Sequence, residues 1–346
     1  MRRLEQIPGE IAGVLVRGQP QLRPNTRASD RFLVTGTGSS EAHARYFCYL
    51  INLYTDRLAT YLPLSSFLHI DESMTRNRTL VVFSQGVSPN AQIALRRHLE
   101  FAHTVLFTST TPHQAREAGK HDRADLISDI VEQGGDIVYF PLGEEYTTLI
   151  RFVGPMCGYL ACLQFVSQLS GCTFEMPGPG HLLPLLDLLP PQDLLQDMLT
   201  RPELFQRGFN LICAAPISDF SQNLACKFME GLFWNCPQIS DFLQFAHGPF
   251  QQSTAAPRPV VILQGPLSVE TELVRRSREM LNSVKLPSYV VEVNCPPLYS
   301  IIGFEAIFNI LIMKAMIHYG IDQINWPGKG RDDQLYGFCA DPAAKT

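Results

Sequence analysis

Lys227 and Glu230 stand three residues apart in Lys227-Phe-Met-Glu230, and Phe245-Ala-His247-Gly248-Pro249-Phe250 follows shortly after. On a helix that spacing puts an ammonium and a carboxylate on one face. The imidazole arrives on a Gly-Pro turn, which cannot continue a helix. A carboxylate base, a cation and a group that titrates near neutral pH suit proton transfer on a polar substrate. The same residues also have plain uses, as a surface ion pair and a loop histidine. The elements that carry them therefore matter.

Those elements form a series that occurs twice. Phe32-Leu-Val-Thr-Gly reads as a short apolar strand, followed by a helical pattern from about Ser39 to Leu53. Phe209-Asn-Leu-Ile-Cys-Ala-Ala is its counterpart, followed by a helix from about Ser218 to Phe233. Val81-Val-Phe-Ser-Gln-Gly86 matches Val260-Val-Ile-Leu-Gln-Gly265, and both comparisons have an offset close to 178 residues. Each half closes with an apolar strand and a long apolar helix: Asp136–Phe140 then about 147–169, and Tyr289–Val293 then about 298–318. Here the offset falls to about 152, as it would if the first half carries an extra strand at His103–Thr108 and a polar stretch near 112–134. Strands alternating with helices predict an α/β fold of two tandem doubly wound domains, each a parallel sheet flanked by helices. The expected division is an N-terminal helical segment at 1–24, a first domain at 25–175 and a linker with connecting helix at 176–205. A second domain at 206–325 and a tail at 326–346 complete it.

Ligands of such sheets bind at the carboxyl ends of the strands. Thr35-Gly-Thr-Gly38-Ser39-Ser40 ends the first strand, and Ser84-Gln85-Gly-Val-Ser88-Pro-Asn90 ends the third. Ser88 followed by Pro89 reads as an N-cap with proline at N1. Hydroxyls and free N–H groups at helix starts suit an anion, phosphate above all. Neither loop holds a Walker lysine, so a nucleoside triphosphate is not indicated. Gly36-x-Gly38 begins a dinucleotide fingerprint, but Glu41 replaces its third glycine and would set a carboxylate against a pyrophosphate.

Composition narrows the field. The 346 residues are 45% hydrophobic and 18% charged with a net charge of −5, which suits a globular chain and offers nucleic acid no basic surface. Nine cysteines, an odd number with no CxxC pair, suggest reduced thiols in the cytoplasm rather than disulfides or zinc. Met1-Arg-Arg leads into Leu-Glu-Gln-Ile-Pro rather than the apolar run of a secretory signal. Residues 152–171 lack charge over the length of a membrane span, yet Gly154-Pro155, Gln164 and Gln168 favour a buried helix and no membrane. No cluster of ligands suggests a metal, and no cofactor is expected.

Together these motifs resemble the double sugar-isomerase (SIS) family, which includes the isomerase half of glucosamine-6-phosphate synthase and bacterial sugar-phosphate isomerases, deaminases and deglycases. The resemblance runs from about Pro24 to Leu335. It implies that Gly38, Ser39 and Ser40 hold sugar and phosphate oxygens, and that Ser84, Gln85 and Ser88 hold the phosphate. It implies further that Glu230 moves a proton between C1 and C2, and that His247 opens the sugar ring from the neighbouring subunit of a homodimer. Lys227 would hold the ionised Glu230 or stabilise an enediolate oxygen.

The chain departs from the family in three places. The Ser84–Asn90 loop is one residue short and lacks a middle serine, and Asn90 stands where a carboxylate is common. The family's C-terminal lysine has no clear counterpart, Lys329 and Lys345 being the lysines of the tail. A Cys nucleophile of a glutaminase is absent, so glutamine-fed amination is not expected unless another chain supplies ammonia. The implied activity is isomerase, deaminase or deglycase chemistry on a sugar phosphate or amino-sugar phosphate. The rival is a sugar-phosphate sensor without turnover.

Overall fold

The structure, a computed structural model, describes residues 2–16, 20–140, 142, 145 and 147–338. It divides into two compact units. One comprises Gly9–Glu145, Val153–Gly178 and Asn325–Thr346 and holds the first sheet; the other comprises Met1–Pro8, Tyr146–Phe152 and Pro179–Ile324 and holds the second.

The first sheet contains β1 (Arg31–Thr35), β2 (Leu58–Tyr61), β3 (Thr79–Phe83), β4 (His103–Thr108) and β5 (Asp136–Tyr139), all parallel in the order β2-β1-β3-β4-β5. Every residue of β3 and β4 is buried, the mark of a sheet covered on both faces. Helix α1 (Ser39–Tyr54) follows β1, α2 (Pro89–Leu95) follows β3, α3 (His121–Glu132) precedes β5, and α4 (Val153–Val166) follows it. Phe83 and Phe107 stack at 4.2 Å between ring centroids, with Phe47 and Phe165 packed against Phe107 at 5.8 and 5.4 Å. Aromatic pairs of this kind contribute about 0.5–1.5 kcal/mol each beyond the area they bury.

The long apolar helix expected from about 147 starts only at Val153. The Glu145 carboxylate accepts hydrogen bonds from the N–H groups of Val153 (2.7 Å) and Gly154 (2.8 Å), supplying the acceptors and negative charge that a helix start favours. All fourteen residues of α4 are buried.

The second sheet contains β6 (Asn210–Cys213), β7 (Gln238–Asp241), β8 (Val260–Gln264) and β9 (Ser288–Glu292), parallel in the order β7-β6-β8-β9. It has one strand fewer than the first, as the change in repeat offset predicts. In space β9 pairs with β8 just as β4 pairs with β3, although in sequence β9 leads directly into a long helix as β5 does. Helix α5 (Gln222–Leu232) lies between β6 and β7, α6 (Pro249–Ala255) between β7 and β8, α7 (Ser268–Ser283) between β8 and β9, and α8 (Ser300–Tyr319) after β9. The expected helix from Ser218 is broken at Ser221, with a separate turn at Ile217–Phe220 before α5. By length and composition α8 could cross a membrane, but it packs against α5 and 72% of its apolar window is buried inside the protein.

Candidate active site

In the first unit, β1 and β3 are neighbours from which the chain leaves toward opposite sides of the sheet, so the loops after them flank the switch point where such sheets take ligands. The loop after β1 turns tightly: Ser40 N–H donates to Thr37 O (3.2 Å) and Glu41 N–H to Gly38 O (3.0 Å). A Cβ on Gly36 would collide with the Ser40 carbonyl, which explains the glycine there. Gly38 itself has φ 60°, and Ser39 and Ser40 open α1 half-buried. Glu41 pairs with Arg45 at 2.8 Å, and that guanidinium lies 4.2 Å from the centre of the Tyr61 ring.

The loop after β3 holds Ser84, Gln85 and Ser88 in a compact turn. Ser84 is buried and its Oγ accepts the Ser88 N–H at 3.1 Å. Ser88 caps α2 by accepting the Ala91 N–H at 3.3 Å, with Pro89 at N1, as the sequence predicts. Both hydroxyls accept through a lone pair, and their O–H groups remain donors for an anion. Val87 has φ 48°, a conformation that costs a side-chain-bearing residue about 1–2 kcal/mol. Its fully buried side chain packs in the core with Leu80 and Val82, so core packing holds the shortened loop in shape.

A third loop joins these two. The carbonyl of Gln85 accepts from Ser109 N–H (3.0 Å) and from the hydroxyls of Ser109 (2.8 Å), Thr108 (3.1 Å) and Thr110 (3.2 Å). The run Thr108-Ser-Thr-Thr111, at the end of the wholly buried strand β4, is the sequence signal that could have pointed to this support. Asn90 also gains a reason: its amide donates to Leu335 O (2.8 Å) and Phe338 O (3.2 Å), which a carboxylate could not do. Lys329 places its ammonium 4.5 Å from the centre of the Trp326 ring, and Lys345 lies outside the described residues.

In the second unit, Lys227 and Glu230 share α5, but the ammonium is committed elsewhere. Lys227 is 1% exposed and pairs at 2.9 Å with Glu305 of α8, itself fully buried. It also donates to Arg151 O at 3.3 Å, while Asn223 donates to Glu305. The direct Lys227–Glu230 ion pair that the spacing suggests is thus replaced by a buried pair between helices, because Glu305 comes from a distant turn of sequence that no local pattern reveals. Glu230 is half-buried, and burial raises its carboxyl above the usual range against the opposing pull of Lys227 and Arg151. Gln323 anchors this end of α5 by donating to Glu230 O (2.9 Å) and Gly231 O (3.0 Å) and accepting Ile150 N–H (3.1 Å). A Cβ on Gly231 would lie 2.6 Å from Ile312 and 2.8 Å from Ile150, so only glycine allows this approach.

His247 is exposed on the turn before α6, and its ring makes no hydrogen bond to another of the described residues. The second sheet separates it from Glu230. Successive strand residues face opposite ways: Phe209 meets Phe228 of α5 at 4.8 Å, whereas Asn210 bonds Ser253 of α6 at 2.7 Å. Phe242 and Phe245, just before His247, pack on that latter face with Ile212, Val260 and Ile262. One chain therefore does not bring the imidazole to its own Glu230. Among the described residues no group of three or more His, Cys, Asp or Glu side chains is arranged to hold a metal.

Two parallel sheets, each flanked by helices, give the chain an α/β fold that it shares with solved sugar-phosphate isomerase and deaminase structures. Over most of its length the chain is similar in structure to the C-terminal domain of glucosamine-fructose-6-phosphate aminotransferase from Francisella tularensis (TM-score 0.71, 13% identity, covering 92% of this chain and 96% of that one). It is also similar to glucosamine-6-phosphate deaminase from Thermotoga maritima (0.65, 15%, 94% and 95%) and to tagatose-6-phosphate ketose/aldose isomerase from Escherichia coli (0.60, 12%, 94% and 92%). No protein-family profile and no curated protein sequence matches the chain. At these identities the likeness establishes the fold.

Proposed function

We propose that the protein binds a sugar phosphate or amino-sugar phosphate in the cytoplasm and moves a proton between C1 and C2, as an isomerase, deaminase or deglycase. The observation that carries this reading is Glu230, a half-buried carboxylate raised toward the working pH with Lys227 and Arg151 beside it. A base is most effective when its pKa approaches the operating pH. Gly38, Ser39 and Ser40 take hydroxyl and phosphate oxygens, and Ser84, Gln85 and Ser88 take the phosphate. Lys227, held by Glu305, supplies fixed positive potential to the developing enediolate rather than moving with the substrate. His247 opens the ring, and since the sheet isolates it from Glu230 in its own chain, it serves a second copy in a homodimer.

The test is proton exchange. Wild type in heavy water should wash deuterium into C1 or C2 of a bound sugar phosphate, read by proton NMR. Glu230→Gln keeps the shape but not the base, so binding should persist while exchange falls about 10²–10⁴-fold. A wild type that binds sugar phosphates yet exchanges no proton on any of them would establish the sensor reading instead.

A further inference from the structure

Gln222, Cys226 and Glu230 recur every four residues on one face of α5, and Cys236 joins them from the loop that follows. The chain reverses at Phe233, which adopts the left-handed conformation (φ 57°), and Trp234 N–H returns to Phe228 O at 3.2 Å. Asn235 N–H then bonds Gln206 O at 3.1 Å, fixing the returning strand alongside the helix. As a result one amide, that of Gln222, lies 3.6 Å from the Cys226 sulfur and 4.0 Å from the Cys236 sulfur, which brings the two thiols together around it. Cys226 is buried and Cys236 is exposed.

We propose that Cys226 and Cys236 are a redox-active dithiol, with Cys236 the thiol attacked by hydrogen peroxide and Cys226 the thiol that resolves it to a disulfide. The Cys236 thiolate attacks one peroxide oxygen and the O–O bond breaks, giving a sulfenic acid and hydroxide. The Cys226 sulfur then attacks the sulfenyl sulfur. The S–OH bond breaks and the hydroxyl leaves with the Cys226 proton as water, so the two sulfurs have given two electrons to one peroxide. Closure needs the two sulfurs gathered at the Gln222 amide to approach to about 2 Å.

The surroundings favour this division of labour. The hydrogen bond from Cys226 lowers the Cys236 thiol from 9.0 to about 7, helped by Gln222 and opposed by burial and by Glu230. The Cys226 thiol is raised by the same hydrogen bond and by burial. The exposed sulfur is therefore the thiolate at neutral pH, the form that reacts. The proposal stands on the thiol geometry and does not depend on the sugar-phosphate reading.

The experiment treats the reduced full-length protein with stoichiometric hydrogen peroxide, blocks remaining thiols with iodoacetamide and maps peptides by mass spectrometry. Tryptic cleavage after Lys227 puts the two cysteines on separate peptides. The expected product is a Cys226–Cys236 cross-link within one chain, reversed by dithiothreitol. In Cys226→Ser the reaction should stop at a Cys236 sulfenic acid that dimedone traps. In the unaltered protein, iodoacetamide labelling of Cys236 should be half-maximal near pH 7 rather than 9.0. Labelling of an ordinary thiol near pH 9 with no cross-link overturns the proposal, as does a peroxide product that joins two chains through Cys236 alone.

Discussion

The loops of the first sheet and the α5 region of the second handle polar groups in opposite ways. The first-sheet loops use neutral hydroxyls: the Ser84 and Ser88 oxygens accept backbone N–H groups, and three side-chain hydroxyls donate to the Gln85 carbonyl. The α5 region concentrates ionised groups, with Lys227 and Glu305 buried as a pair and Glu230 half-exposed nearby. A neutral hydroxyl lattice keeps its geometry without costly desolvation and can meet an anion with O–H donors. A buried ion pair tolerates no loss of one partner, since the remaining charge then has no compensation. In the proposed function the first arrangement holds the ligand and the second alters the charge on it.

The largest expected effect concerns the sheet that divides His247 from Glu230. Glu230→Gln and His247→Ala should each be nearly inactive as pure dimers. When unfolded together and refolded, half the dimers should be mixed, each with one intact site, so activity should recover to about a quarter of wild type. No recovery would mean that each chain uses its own histidine, which the packing on opposite faces opposes.

Next comes the buried pair. Lys227→Met should lower stability by about 3–5 kcal/mol in urea unfolding, because Glu305 is left buried and uncompensated, whereas Lys227→Met with Glu305→Met should recover most of that loss. A single variant as stable as wild type would show that the pair is solvated after all. The smallest effects belong to the first-sheet loops. Ser84→Ala should weaken sugar-phosphate binding by about 1–2 kcal/mol in calorimetry, the scale of one hydrogen bond to a charged group. Ser88→Ala should cost about 1 kcal/mol of stability through the lost helix cap. Equal binding of free and phosphorylated sugars would remove the phosphate from the reading of these loops.

Much of this architecture is local and can be read along the chain. Apolar strands of four to six residues, the Ser88-Pro89 helix start and the doubling of the series can each be read from the sequence, and β1, β3, β4, β5, β6, β8, β9 and the α2 cap follow them, whereas the edge strands β2 and β7 carry no such apolar run. Even the missing strand of the second sheet is legible in the change of repeat offset. Element ends are less so: α4 starts where the Glu145 carboxylate caps it, and α5 follows a break at Ser221.

What only the tertiary structure decided is which charges and thiols meet. Lys227 reaches Glu305 rather than Glu230, Asn90 reaches the carbonyls of Leu335 and Phe338, and Cys236 folds back to the Gln222 amide that Cys226 also meets. The physical reason is reach. Sequence periodicity reports which face of its own element a side chain occupies, but a hydrogen bond or ion pair is completed within a few ångströms by whatever another element presents there. The sequence by itself therefore determined the two sheets and the chemical character of their loops, while packing between distant segments determined the partner of each ionisable group.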